Sequence, residues 1–196
     1  MQLGREMAKS PHPREYDALL ATGEQVSASL LAMCLQEMGL SACSYTGLQL
    51  PILTSNTHMR AQITEVALDK LNKALAAGRI PVITGFQGVT SDGDITTLGR
   101  GGSDITAVAL AAALQASECQ IYTDVDGVYS CDPRLVANAR KLPCISMQAM
   151  LEMASAGAKV MQYHAMQLAS KLNIPLRILS SFTQGEGTLI SSQVDD

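Results

Sequence analysis

The stretch RIPVITGFQGVTSDGDITTLGRGGSDITAVALAAALQASECQIYT, residues 79–123, decides the fold class. Arg79–Thr84 is a short apolar run of the kind that forms a strand buried on both faces. It enters a Gly-rich loop at Gly85-Phe86-Gln87-Gly88 that continues to Ser103. Asp104–Ala116 then reads as a helix that is apolar on nearly every side and therefore buried. Cys119–Thr123 reads as the next strand. Strand, loop, helix and strand in this order belong to an α/β protein with a largely parallel sheet.

The same alternation extends in both directions. Upstream, Pro13 suits the first turn of a helix running to Leu20. A second helix is expected to start at Thr22 as its cap, with Gln25 three residues on. Val26, Leu30, Cys34 and Met38 repeat every four residues and predict its buried face, and Gly39 ends it. Residues 41–46 read as a strand, 47–62 as mixed, and Asp69–Ala77 as a helix closed by Gly78. Downstream, Asp124-Val125-Asp126-Gly127 is turn chemistry that predicts a hairpin into Val128-Tyr129. Ser146–Ala154 and Ala158–Leu172 read as helices separated at Gly157, Leu176–Ser180 as a strand, and Thr188–Ile190 as an edge strand. The expected architecture is a three-layer α/β/α sandwich with a mainly parallel sheet, in a single domain over residues 1–196. Such sheets commonly begin with a strand. This chain begins with a polar helical stretch, so the first strand is expected to be missing.

Composition narrows the function classes. A hydrophobic fraction of 47% against 16% charged residues supports a large core and excludes disorder. Trp is absent, so aliphatic residues and ten Met fill that core, and Met147, Met150, Met153, Met161 and Met166 are expected inside it. A net charge of −4 with scattered basic residues gives no footprint for nucleic acid. The five Cys are widely spaced and form no C-x-x-C pair, so free thiols are expected rather than a disulfide framework or a zinc site. No uninterrupted apolar run approaches a membrane span, and the N-terminus has no apolar signal core. The expected location is the cytoplasm, without nucleic-acid or membrane partners.

Four segments could carry chemistry. In Thr97-Leu98-Gly99-Arg100-Gly101-Gly102-Ser103-Asp104, three glycines permit positive φ and close approach to a ligand, and the helix that follows offers unpaired N–H groups. Together with the planar fork of Arg100 this suits an anion. The spacing is neither G-x-x-x-x-G-K-S/T nor G-x-G-x-x-G, which excludes those two nucleotide motifs. A plain turn capped by Ser103 or Asp104 fits the same residues. Asp104 could organise ammonium groups or merely compensate the helix dipole. In the second segment Thr123, Asp124 and Tyr129, at a strand end, could meet a base and ribose; an acidic hairpin tip is the alternative. In the third, Lys159, after Gly157-Ala158 at an expected helix start, sits badly beside a positive helix end unless an anion is bound there, or else is a solvated lysine. In the fourth, Glu24 could receive an amino group, or is only a favoured first-turn acid. His12, His58 and His164 have no metal-ligand spacing, and no metal site is expected.

The order of these segments resembles the amino-acid kinase family, and within it the aspartate kinases. The matching stretches are LLATGEQVSASLLAMCL (19–35), GFQGVTSDGDITTLGRGGSDITAVALAAAL (85–114), IYTDVDGVYSCDPRLV (121–136) and GAKVMQYHAMQLASKLNIPLRILSSF (157–182). They cover nearly the whole chain. LGRGGSD followed by TDVDGVY and DPR is specific and differs from the acetylglutamate, glutamate and UMP kinases of the family. The resemblance implies transfer of the ATP γ-phosphoryl group to the side-chain carboxylate of L-aspartate, which opens lysine, threonine and methionine biosynthesis. It implies that Glu24 binds the substrate amino group. Arg100 would grip the α-carboxylate beside Gly101, Gly102 and Ser103. Asp104 would orient catalytic lysines, and Lys159 would neutralise phosphate charge. Thr123, Asp124, Tyr129, Asp132 and Arg134 would surround ATP, whose Mg2+ is held mainly by the phosphates. A dimer, or pairing with a full-length subunit, is also implied.

Two departures accompany the resemblance. The family's first strand carries Lys-Phe/Tyr-Gly-Gly-Ser/Thr, whose lysine contacts the transferring phosphoryl group, and no such segment occurs in these 196 residues. The family's paired regulatory ACT domains would follow Leu189-Ile190. A chain without these parts is expected to turn over weakly or not at all and to lack end-product inhibition. The alternative reading is a non-catalytic module that binds nucleotide or amino acid, or assembles with a full-length partner.

Overall fold

The computed structural model describes residues 2–158 and 160–194. The chain divides into two compact units, one up to Thr106 and one from Ala107 onward.

The first unit opens with a short helix α1 (Gln2–Met7) and the long helix α2 (Pro13–Glu37). The two helices expected on either side of Ala21 are one. Gly23 in the helix interior costs only about 1 kcal/mol relative to alanine, which packing absorbs. Thr22 caps nothing; its hydroxyl donates to the Leu19 carbonyl at 2.7 Å within the helix. The expected buried face is also reversed. Val26 and Leu30 are each 59% exposed and Met38 69%, while Asp17, Ala21, Ala28 and Ala32 are buried. Small side chains let the helix axis come close to β1 (Ala42–Tyr45), β4 (Ile80–Ile83) and β6 (Ile95–Thr97), so the bulkier residues stay outside. By length and composition alone α2 could cross a membrane, an 18-residue stretch of it having a mean hydropathy of 1.4. Its alanine face is committed to these strands.

β1 pairs in parallel with β4. A four-stranded sheet has the order β3 (Ile63–Val66), β2 (Ile52–Thr54), β5 (Gln87–Val89), β6. The stretch from Gly85 to Ser103, expected as loop, thus contains an antiparallel β5–β6 hairpin. Its turn is closed by the Thr90 hydroxyl, which accepts the Asp94 N–H at 3.1 Å. α3 (Asp69–Ala76) ends before Gly78, which has φ +68°.

Helix α4 (Gly102–Ala113) contains the division between the units and is buried or half-buried except at Ser103, as its composition predicts. In the second unit the order is β7 (Cys119–Thr123), β9 (Leu176–Ser180), β10 (Thr188–Ser191), β8 (Cys144–Ser146). β10, expected at an edge, lies between two strands, and Thr188 and Ile190 are fully buried. The helices are α5 (Met147–Ser155), capped by the Ser146 hydroxyl, and α6 (Tyr163–Leu172). Met147, Met150, Met161 and Met166 are in the core. The α/β class stands, with antiparallel pairs β2–β3, β5–β6 and β9–β10 added to the parallel ones.

Candidate functional site

In the first unit the local fold converges on Gly99–Asp104. Gly99 and Gly101 have φ +78° and +73°, the left-handed region that a side chain makes costly. These two reversals end β6 and start α4 within five residues. Gly102 has a different role. A Cβ there would lie 2.8 Å from Cδ2 of Phe86, so its absence lets the start of α4 rest on Phe86. Phe86 is itself left-handed at φ +68°. It is held by its N–H to the Thr106 hydroxyl at 3.1 Å and by its carbonyl, which accepts the Leu98 N–H at 2.9 Å. A non-glycine residue in this region is uncommon and strained, and persists only where the surrounding structure holds it. Phe86 was not singled out from sequence, because no residue pattern signals φ.

Arg100 is exposed, and none of the described residues forms an ion pair with it. Ser103 is exposed in the first turn of α4, beside helix N–H groups that lack intrahelical acceptors. Asp104 is half-buried, and this desolvation pushes its carboxyl above the usual range. A carboxylate short of solvent, with no ion-pair partner among the described residues, is well suited to receive a cation. Glu24 lies in the interior of α2, not at a helix start, and is half-buried. Next to it, the Gln25 amide donates to Gln87 Oε1 at 3.3 Å, and the buried Gln87 donates to the Ala21 carbonyl at 3.1 Å. These bonds fix α2 against β5.

In the second unit Thr123 ends β7, where parallel strands present ligands. Its hydroxyl donates to Asp124 at 3.1 Å, and its carbonyl accepts the Ser181 N–H at 2.8 Å. Beside it an open cavity of about 400 Å³ is lined by Tyr122 and by residues 179–185, including Phe182. The expected hairpin from β7 into Val128-Tyr129 does not form; Tyr129 pairs instead with Lys141 in an antiparallel bridge. The acidic turn is anchored from beneath. Thr188 accepts the buried Val128 N–H at 2.8 Å and donates to the Leu142 carbonyl at 2.6 Å. Thr188, read only as part of an edge strand, is therefore a supporting residue that sequence reasoning missed.

The polar groups of that turn largely satisfy each other. Tyr129 donates to Asp126 at 3.0 Å, and Lys141 reaches the same carboxylate at 3.3 Å. Burial alone would raise the Asp126 carboxyl, but these two donors hold it below the usual range. The Asp126 bond also raises the Tyr129 phenol. Arg134 makes two side-chain bonds to Asp132, at 3.0 and 2.9 Å, and this pairing raises its guanidinium further. Lys159 lies outside the described residues. Ala158 and Val160–Gln162 are not helical, and α6 begins only at Tyr163, so the helix start expected at Ala158 is five residues late.

Residues 2–180 match the sequence profile of the amino acid kinase family. The chain belongs to that family. Among curated relatives, the aspartokinase of Pseudomonas aeruginosa is 54% identical over 194 residues, covering 99% of this chain and 47% of the relative. The aspartate kinase of Pseudomonas fluorescens is 56% identical over 183 residues, covering 93% of this chain and 44% of the relative. Among solved structures, Escherichia coli aspartokinase III with aspartate and ADP superposes with TM-score 0.86 at 34% identity, over 95% of this chain and 43% of that one. A Bacillus anthracis UMP kinase at 18% identity and TM-score 0.68 shares the amino acid kinase fold. The chain spans about half the length of the curated relatives it matches.

Proposed function

We propose that this amino acid kinase transfers the γ-phosphoryl group of ATP to the side-chain carboxylate of L-aspartate, giving 4-phospho-L-aspartate. The observation that carries the reading is the Gly99–Asp104 turn. Two left-handed glycines present an exposed Arg100, without an ion-pair partner among the described residues, at the N-terminus of α4. That is a receptor for a small carboxylate. The likeness to aspartokinases, one of them solved with aspartate and ADP, supports this substrate over other carboxylates.

Arg100 grips the α-carboxylate, aided by the backbone at Gly101, Gly102 and Ser103. Glu24 takes the amino group. Thr123, Asp124, Tyr129, Asp132 and Arg134 surround the nucleotide, with the cavity beside Tyr122 and Phe182 next to them. ATP enters as its Mg2+ complex, the metal held mainly by the phosphates. Phosphoryl transfer requires alignment and dispersed positive charge more than covalent help from the protein. Asp104 orients cationic groups, and Lys159 neutralises phosphate charge. The reaction belongs to the cytoplasm and opens the route to lysine, threonine and methionine, and the chain works as a dimer or beside a longer subunit.

Calorimetric titration with L-aspartate and MgATP, together with an assay for aspartate-dependent ADP release, tests the reading. Binding of both ligands is expected. Arg100→Ala should weaken L-aspartate by roughly 10- to 100-fold, the scale of a lost charge-assisted bond, and leave MgATP unchanged. Equal affinity for L-aspartate in the variant and the parent would refute the assignment of Arg100.

A further inference from the structure

Asp17 is completely buried, in α2, seven residues before Glu24 and outside every role assigned above. Its two oxygens are fully engaged. Oδ1 accepts the Thr97 hydroxyl at 2.5 Å. Oδ2 accepts the Met59 N–H at 3.0 Å and lies 2.8 Å from His58 Nδ1, which donates when the acid is ionised. These partners stand 41 to 80 positions away in sequence, so the carboxylate joins three separate segments.

Each partner leads to the Gly99–Asp104 turn. Thr97 is the last residue of β6, two before Gly99. Its carbonyl also accepts the Ala61 N–H at 2.9 Å. Met59 is held at φ +69°, a strained conformation for a non-glycine residue, by the bonds its N–H makes to Asp17. Its carbonyl oxygen would lie 3.1 Å from a Cβ on Gly99, so the Met59 backbone is the wall against which Gly99 turns. Asp17 therefore fixes both the entry to the turn and the wall behind it, from the helix that carries Glu24.

We infer that Asp17 is a positioning residue for amino-acid binding: with His58, Met59 and Thr97 it sets the Gly99–Asp104 turn, and with it Arg100, relative to Glu24. This rests on the proposed aspartate-binding role of Arg100 and Glu24. A buried carboxylate kept only for stability would be a poor choice, since desolvation offsets most of what such groups contribute. A carboxylate accepting several donors from distant segments does what an apolar residue of equal volume cannot. It fixes direction as well as contact.

The test compares the full chain with Asp17→Asn and Thr97→Val by amide hydrogen exchange and by L-aspartate and MgATP titration. Thr97→Val removes one of the bonds and keeps the test available if Asp17→Asn fails to fold. The expected result is exchange faster by roughly tenfold or more, the worth of about one lost bond to a charged group, in the segments 57–61 and 98–104, with β7 and β9 unchanged. L-Aspartate affinity should fall by a similar factor while MgATP affinity is kept. Exchange that rises evenly through the first unit at unchanged L-aspartate affinity, or no change at all, overturns the inference. If the parent chain itself does not bind L-aspartate, the functional reading fails. The exchange pattern then still decides whether Asp17 sets the turn.

Discussion

Asp17 and Asp132 are both aspartates with well-formed hydrogen bonds, and they differ in burial and in reach. Asp17 is fully buried and gathers donors from positions 58, 59 and 97. Asp132 is only half-buried and holds Arg134, two residues away, whose side chain is 81% exposed. The first carboxylate builds tertiary structure. The second organises a turn, in water that screens the pair. A hydrogen-bonded acid near a proposed ligand can thus serve the fold or the surface, and burial with sequence separation tells which.

The largest expected effect breaks the buried side of this comparison. Asp17→Ala leaves the Met59 N–H, the Thr97 hydroxyl and His58 without their common acceptor. At ~1–3 kcal/mol for each unsatisfied buried group, with partial relaxation, a loss of about 3–5 kcal/mol is expected. Urea denaturation measures it, and a loss below about 1 kcal/mol would place Asp17 with the surface acids.

Thr188→Val comes next and asks whether the second unit has an anchor of its own. The substitution keeps shape but removes the acceptor for the buried Val128 N–H and the donor to Leu142. A loss of about 1–3 kcal/mol is expected from the stranded backbone groups. Nucleotide affinity should fall with it, because the Asp124–Tyr129 turn rests on this bond.

The same contrast explains what the sequence revealed. β7, α3, α4 and β9 were legible because periodicity and turn residues are local signals, and so was the Gly99–Asp104 turn. The Thr123–Arg134 segment could be singled out because it follows a legible strand and carries turn residues. α2 misled because the face of a helix is chosen by what it packs on: strands needing close approach selected Ala21, Ala28 and Ala32 over Val26 and Leu30. Asp17, Thr188 and the left-handed Phe86 were invisible for a related reason. Each is defined by partners or a dihedral angle that arise only after distant segments meet.

A smaller effect, with a definite sign, concerns Asp104. Its carboxyl is raised by burial. Between the ordinary aspartate range, about 3.9, and the raised folded value, the folded chain holds the proton more tightly than the unfolded chain. Stability is therefore lost as pH rises through that window. Asp104→Asn removes the penalty, so the variant should unfold at a higher temperature than the parent at neutral pH and at the same temperature near pH 3. A variant less stable at neutral pH would mean that the carboxylate already has a cationic partner.

The smallest expected change is the stability of Arg134→Ala. The pair with Asp132 leaves Arg134 largely exposed and spans two residues, so its loss should move the unfolding free energy very little. That small change is useful. Asp17→Ala confounds any binding measurement with unfolding, whereas Arg134→Ala does not. If MgATP affinity falls by roughly tenfold, as expected for one charge-assisted bond to a phosphate, while the unfolding midpoint holds, Arg134 must release Asp132 to reach the nucleotide. The ion pair is then a resting state of a binding residue. If both affinity and midpoint are unchanged, Arg134 belongs only to its turn, and the nucleotide assignment contracts to Thr123, Asp124 and Tyr129.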